Sequence, residues 1–272
     1  MPVSLPSAAC SLLSRRAWIG GSLAWAGAGA ALSRTAAASE SAPLALFGPG
    51  GPAPAMEEAA RAFEKAEGVR VTVTAGPPAA WRAAALREAD LLYSGSESMM
   101  SGFIETFGGE IDPADVVPLY LRPLAILVRP GNPRHIRGLA DLLRPGVKVM
   151  VVEGAGQSGA WEDAAARRGD IATLRALRRN IVAAPPTAAA ALSLWAARPE
   201  IDAWITWTIW HAAQPASSEV VPLEPAYRIY RDTAIVPTRR GKARPETARF
   251  IAFLQTPAAA VIFRRWGWLT AS

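Results

Sequence analysis

The chain has 272 residues, 51% of them hydrophobic, and a formal net charge of +6, enough for one large core or two modest ones. Its single cysteine, Cys10, and its two histidines, His135 and His211, leave almost no room for a disulfide framework or a His/Cys metal centre. No Lys/Arg block interleaved with aromatics occurs, so nucleic acid is not the expected partner.

Taken in chain order, the first forty residues read as a leader. Arg15-Arg16 precedes a weakly apolar stretch over 20–32; Arg34 and then Ala36-Ala37-Ala38 follow it. That pattern predicts a twin-arginine-type signal peptide over 1–38, export to the periplasm, and loss of Cys10 with the leader. Cleavage after Ala38 removes Arg15, Arg16 and Arg34 and no acid, which takes the charge from +6 to +3. No later segment is long and apolar enough to span a bilayer.

A strand from Leu44 empties into Gly48-Pro49-Gly50-Gly51, and a helix follows with Met56, Ala59, Ala60, Phe63 and Ala66 on one face, stopped by Gly68. A strand over 69–73 and a helix over 79–88 come next. Asp90-Leu91-Leu92-Tyr93 then runs into Ser94-Gly95-Ser96-Glu97 and a helix over 98–107. A third unit has a strand over 147–152, a loop Glu153-Gly154-Ala155-Gly156-Gln157-Ser158-Gly159, and a helix over 161–168 closed by Gly169. A fourth has a strand over 201–205, a turn Thr206-Trp207-Thr208 and a short helix over 209–213. Strands alternating with helices predict an α/β fold with largely parallel sheets. The loops after such strands gather on one edge, where helix N-termini and bare backbone N–H groups seat an anion.

The run Tyr120-Leu121-Arg122-Pro123-Leu124-Ala125-Ile126-Leu127-Val128 with Arg129-Pro130-Gly131-Asn132-Pro133 resembles the crossing strand of periplasmic solute-binding proteins. The ending over 248–268, with Thr256 as helix cap and Pro257 as first helical residue, resembles their last helices. Phe47 to Pro52, Ser94 to Glu97, Glu153 to Gly156 with Trp161-Glu162-Asp163, Ile201 to Trp204 with Trp207, and Tyr230-Arg231 resemble the accessory colonization factor C family, relatives of the molybdate- and sulfate-binding proteins. The resemblance implies a two-lobed, type II periplasmic-binding-protein fold with two crossing strands, near 117–128 and 220–236. Lobe 1 would comprise 39–120 and 232–272, and lobe 2 would comprise 121–231. It implies capture of a small multivalent anion (an oxyanion, a phosphorylated acid or a carboxylate) and its delivery to an ABC transporter. It leaves a homodimer open. A surface adhesin with a secondary cleft is the alternative.

Within that frame the candidate ligand contacts are Gly50, Gly51, Ser94, Ser96, Gln157, Ser158 and Gly159 from the loops, and Arg122, Trp207, Tyr230 and Arg231 near the crossings. Ser96 and Ser158 are equally suited to capping helices, because capping and anion binding use the same geometry. Arg122 and Arg231 fit either a bidentate anion contact or a structural bridge to Asp202 or Asp232. Trp204 and Trp210 read as core, Glu97 as a first-turn helix acid and His135 as surface. Gln157 stands where family members can have a basic residue. No histidine lies near Ser96 or Ser158, and no G-x-S-x-G, H-E-x-x-H or P-loop motif occurs. No enzyme, cofactor or metal is therefore expected.

Overall fold

The computed structural model describes residues 42–154 and 156–270; the expected leader, its cleavage site and Cys10 lie outside them. The first elements are β1 (Leu44–Gly48), α1 (Ala53–Glu67), β2 (Val71–Ala75), α2 (Pro78–Glu88), β3 (Leu91–Tyr93) and α3 (Glu97–Phe107). The long strand β4 (Val117–Val128) follows, its ends falling where the crossing was expected. Next come α4 (Leu139–Leu142), β5 (Val149–Met150), α5 (Ala160–Ala166), α6 (Ile171–Asn180), β6 (Ile181–Ala183), α7 (Ala188–Ala197), β7 (Ala203–Trp207) and α8 (Ile209–Ala213). The chain closes with β8 (Glu219–Pro222), β9 (Tyr230–Pro237), α9 (Arg239–Lys242), α10 (Pro245–Leu254) and α11 (Pro257–Arg265).

The strands form one path, β2-β1-β3-β9-β4-β7-β5-β6, with β8 also on β4. The flanks are parallel, β1 with β2 and β3, and β5 with β6 and β7. The centre is not: β9 runs antiparallel to β3 and β4, and β7 and β8 run antiparallel to β4. The first part of β4 pairs with β9 and the last part, Leu124 to Val128, with β7. β4 thus belongs to both halves of the sheet. The expected return crossing over 220–236 is broken by a 3-10 turn at Pro225–Tyr227, so β9 alone makes it.

Each half has cores on both faces of its sheet, as parallel strands require. Leu44 and Leu46 of β1 pack with Met56, Phe63, Phe250 and Phe263, while Phe47 packs with Trp81 and Phe103 on the opposite side. In the other half Ile126, Val149, Leu177 and Trp207 form one cluster, and Met150, Trp195 and Trp204 another. Each such side chain contributes about 1.5–3 kcal/mol by burial. Ala66, expected on the buried face of α1, is exposed in its last turn. The strand expected over 147–152 shrinks to Val149–Met150 because its pairing with β6 shifts register there. The strand expected to end at Ile205 runs on to Trp207, since Thr206 and Trp207 pair with Ala125 and Leu124 of β4. Ladder pairing with a distant strand overrides the local turn signal. The unit β6–α7, with Pro185-Pro186-Thr187 between, was not anticipated.

Candidate functional site

Arg122 sits on β4 where it leaves β9, opposite Arg231. Its residue is 4% exposed. The guanidinium lies between two indoles, with its carbon 4.4 Å from the ring centre of Trp207 and 5.1 Å from that of Trp268, a cation–π sandwich. Nη2 donates to the Gly95 carbonyl, and Nε has no partner. Among the described residues no carboxylate lies within salt-bridge distance of it. Burial pulls its pKa down to about 9, Asp232 opposing the shift and Arg231 adding to it, so at neutral pH the group remains a cation.

Three loops converge on this cation, and glycine lets them. A methyl group on Gly51 would lie 2.9 Å from Nη1, one on Gly95 3.0 Å from Nη2, and one on Gly156 3.3 Å from Nη2. These glycines come from the loops after β1, β3 and β5, so both halves of the sheet supply backbone to one guanidinium. The first loop is further pinned by Tyr93, whose hydroxyl donates to the Pro49 carbonyl at 3.0 Å. Burial first, and Glu57 second, raise the Tyr93 pKa, which keeps the phenol protonated for that bond.

A cavity of about 530 Å³ opens over Arg122. Its walls are residues 49–52, Gly76 and Pro77, Gly95, Met99, Gly154 and Gln157, residues 186–189, Leu192, Trp207 and Trp210. Two helices begin on it. The loop that enters α1 through its N-cap Pro52 brings Gly50 and Gly51. The α7 end brings Thr187, whose hydroxyl accepts from Ala190 N at 3.1 Å, and Ala188 and Ala189, whose N–H groups have no intrahelical acceptor. Gln157 is buried with its carboxamide oxygen accepting from the Thr206 hydroxyl at 2.8 Å. A buried cation, two helix starts and an otherwise apolar wall suit a small anion.

A second cavity, about 320 Å³, lies beside the first; Ser98, Met99, Phe103, Thr106, Gly156, Ser158 and Arg231 are among its lining. Arg231 forms an ion pair with Asp163 of α5, not with the Asp202 or Asp232 expected for a bridge. Asp202 instead pairs with Arg134 at 3.4 Å and accepts from Lys148 N.

Of the residues singled out in the sequence, Gly50, Gly51, Arg122, Gln157 and Trp207 line the larger cavity, and Ser158 and Arg231 the smaller. Ser94, Ser96, Gly159 and Tyr230 line neither. The Ser94 hydroxyl accepts from Ala234 N at 3.3 Å and its carbonyl from the Thr233 hydroxyl at 2.7 Å, which ties β3 to β9. Ser96 caps α3 by accepting from Met99 N at 3.2 Å. Gly159, at φ 70°, begins α5, so Ser158 is not its cap. Tyr230 is 41% exposed. Trp210, expected only in the core, stacks on Trp204 and also reaches the cavity. Met99, Thr187 and Trp268 were missed. Thr187 before an alanine run carried a readable N-cap signal, whereas the other two carried none.

Asp232 is half-buried beside both arginines, and burial raises its pKa against their pull. With its folded value above the unfolded one near 3.9, the native state takes up the proton first. This group's contribution is therefore fully present below the unfolded value and is lost as pH rises through the folded one. Asp232→Asn is expected to be more stable than the wild type at pH 7, the advantage shrinking to nothing as pH falls towards about 4. Urea melts of both proteins between pH 4 and 7 check this; an advantage that grew on acidification would refute it.

Among the described residues no group of three or more His, Cys, Asp or Glu side chains is placed to hold a metal, and no helix is long and apolar enough to cross a membrane. No match among curated proteins reaches significance. A crystal structure of PEB3 with L-phospholactate bound is 36% identical, with a TM-score of 0.78, and the match covers 84% of this chain and 100% of that one; Peb3 comes from Campylobacter jejuni. The sulfate-binding protein SubI from Mycobacterium tuberculosis shares the fold at 20% identity and TM-score 0.69, covering 85% of this chain and 87% of that one. The periplasmic molybdate-binding protein of Azotobacter vinelandii does so at 16% and 0.62, covering 84% and 100%. The profile of the bacterial extracellular solute-binding proteins matches residues 44–269. The chain belongs to that family, and its α/β architecture is the type II periplasmic-binding-protein fold.

Proposed function

We propose that this chain is an extracytoplasmic binding protein of the accessory colonization factor C type that captures a small multivalent anion over Arg122 and presents it to an ABC transporter. One observation carries the reading: a guanidinium buried to 4% exposure with no carboxylate in salt-bridge distance. An uncompensated buried charge costs several kcal/mol. A ligand that brings the counter-charge recovers that cost in the bound state alone. Gly50 and Gly51 in the loop before α1 and Ala188 and Ala189 in the first turn of α7 add backbone N–H groups, and each helix end contributes about 0.3–1 kcal/mol towards an anion.

The PEB3 structure with L-phospholactate makes a phosphorylated hydroxy acid the favoured ligand class, ahead of the inorganic oxyanions. In this reading residues 42–120 with 232–270, and residues 121–231, move as two lobes about β4 and β9, and an anion touching both favours the closed state that a transporter recognises. The leader pattern around Arg15-Arg16 supports twin-arginine export to the periplasm. Among the described residues no nucleophile–base pair lines either cavity, which supports binding without turnover. The ring nitrogen of His211 lies 3.0 Å from the Ser218 carbonyl, and His135 is exposed in a loop.

The test is a melting titration of ligand-free protein with L-phospholactate, citrate, sulfate and molybdate. L-phospholactate at a hundred times its Kd is expected to add about 2.7 kcal/mol of stability, with sulfate and molybdate weaker. No response to any of the four removes the proposal.

A further inference from the structure

We propose that the smaller cavity is a second chamber of the anion site, and that Met99 is the partition between them, setting the length of ligand that the protein accepts; this rests on the anion-capture reading above. Met99 is the residue that lines both cavities. Its backbone is held, because its N–H donates to the Ser96 hydroxyl that caps α3. Its tip reaches across to the loop after β5: the terminal methyl would lie 3.5 Å from a methyl group on Gly156, which itself lines the smaller cavity. A thioether chain with three rotatable bonds, fixed at its base and touching the opposite loop only at its end, is a movable wall.

The chemistry behind that wall differs from the chemistry over Arg122. Ser98, Thr106 and Ser158 line the second chamber, the Ser98 hydroxyl already sharing a hydrogen bond with that of Ser96, and the cation among its described lining residues, Arg231, is already paired with Asp163. A second anionic group entering there would find its arginine already paired with the Asp163 carboxylate. An uncharged, hydroxyl-bearing tail meets donors and acceptors and no net charge. The ligand class that fits both chambers is an organic phosphate with its phosphate over Arg122 and a polyol tail beyond Met99. With Met99 in place a ligand seated over Arg122 is held to the first chamber, which restricts the wild type to short acids.

The experiment compares L-phospholactate, sorbitol 6-phosphate and hexyl phosphate by calorimetric titration of the exported chain. The wild type is expected to prefer L-phospholactate. Met99→Ala is expected to shift the affinity ratio of sorbitol 6-phosphate to L-phospholactate at least tenfold towards sorbitol 6-phosphate, and that of hexyl phosphate to L-phospholactate less than threefold. Adding Thr106→Val and Ser158→Ala should cancel most of the shift towards sorbitol 6-phosphate, and Met99→Leu should show none. Should Met99→Ala melt too low to titrate, Met99→Cys is measured in its place with the same expectation. A variant that still binds L-phospholactate yet shows no shift of that ratio towards sorbitol 6-phosphate overturns the partition and leaves anion capture standing. An equal shift for hexyl phosphate overturns the polyol assignment. A wild type that binds none of the three overturns anion capture itself, and the second chamber with it.

Discussion

Arg122→Met is expected to weaken anion binding at least a hundredfold while leaving the ligand-free protein within about 1 kcal/mol of wild-type stability. The two halves of this expectation follow from the same burial. In the free protein the guanidinium has one hydrogen bond, to the Gly95 carbonyl, and two indole faces. Losing the bond strands a carbonyl, at about 1–3 kcal/mol, and losing the cation–π contacts costs about 0.5–2 kcal/mol. Against that, replacing a buried ion by an apolar chain of similar length is often stabilising by about 1–4 kcal/mol. The opposing terms nearly cancel.

For the bound state nothing cancels. Truncating one partner of a buried charge pair costs about 2–5 kcal/mol, so affinity for L-phospholactate should fall at least a hundredfold, about 2.7 kcal/mol. Urea melts and calorimetric titrations of the same preparation measure both quantities. A variant that lost more than about 3 kcal/mol of stability and still bound the anion would identify Arg122 as a structural bridge, the other role its position in the sequence allows.

The largest loss of stability is expected elsewhere, at Asp90. This carboxylate has no exposure. It accepts from Ala45 N at 2.9 Å, Arg240 Nε at 3.1 Å and Arg244 Nη1 at 2.7 Å, joining β1 to the segment around α9. Asp90→Ala leaves a buried backbone N–H and the mostly buried side chain of Arg244 short of an acceptor. A broken buried pair of this kind costs about 3–5 kcal/mol. Arg240→Ala should cost less than about 1 kcal/mol, because that side chain is 55% exposed and its contact is solvent-screened. Asp90 lines neither anion cavity, so ligand affinity in Asp90→Ala should stay within twofold of the wild type at temperatures where it is folded. A loss below about 1 kcal/mol on urea melting would show that the cluster does not hold the two segments together.

Local patterns carried much of the architecture. Short apolar runs marked β1 and β3, the alternation over 69–73 marked β2, the 3.6-residue stripe of Met56, Ala59, Ala60 and Phe63 marked α1, and Gly68 marked its end. Such signals are legible because period, cap and turn chemistry act between residues a few positions apart. The same locality explains the errors. Thr206 and Trp207 look like a turn until β4 pairs with them, and β5 looks longer than its register with β6 permits. Ser94 and Tyr230 stand in motifs that suggest a binding loop, yet the hydroxyl of Ser94 is consumed by β9 and Tyr230 faces solvent.

The sequence by itself determined the alternation of strands and helices and the small-residue loops after β1, β3 and β5, for each is written in neighbouring residues; the long strand that joins the two halves was legible through a family resemblance. Only the tertiary structure decided which of those loops meet, that Arg122 lies under three of them between Trp207 and Trp268, and that Arg231 is already matched by Asp163. A charge acquires its role from what surrounds it, and the surroundings of Arg122 come from residues 51, 95, 156, 207 and 268. No periodicity connects positions so far apart; strand pairing and packing bring them together and bury that cation with no carboxylate of the described residues in salt-bridge distance.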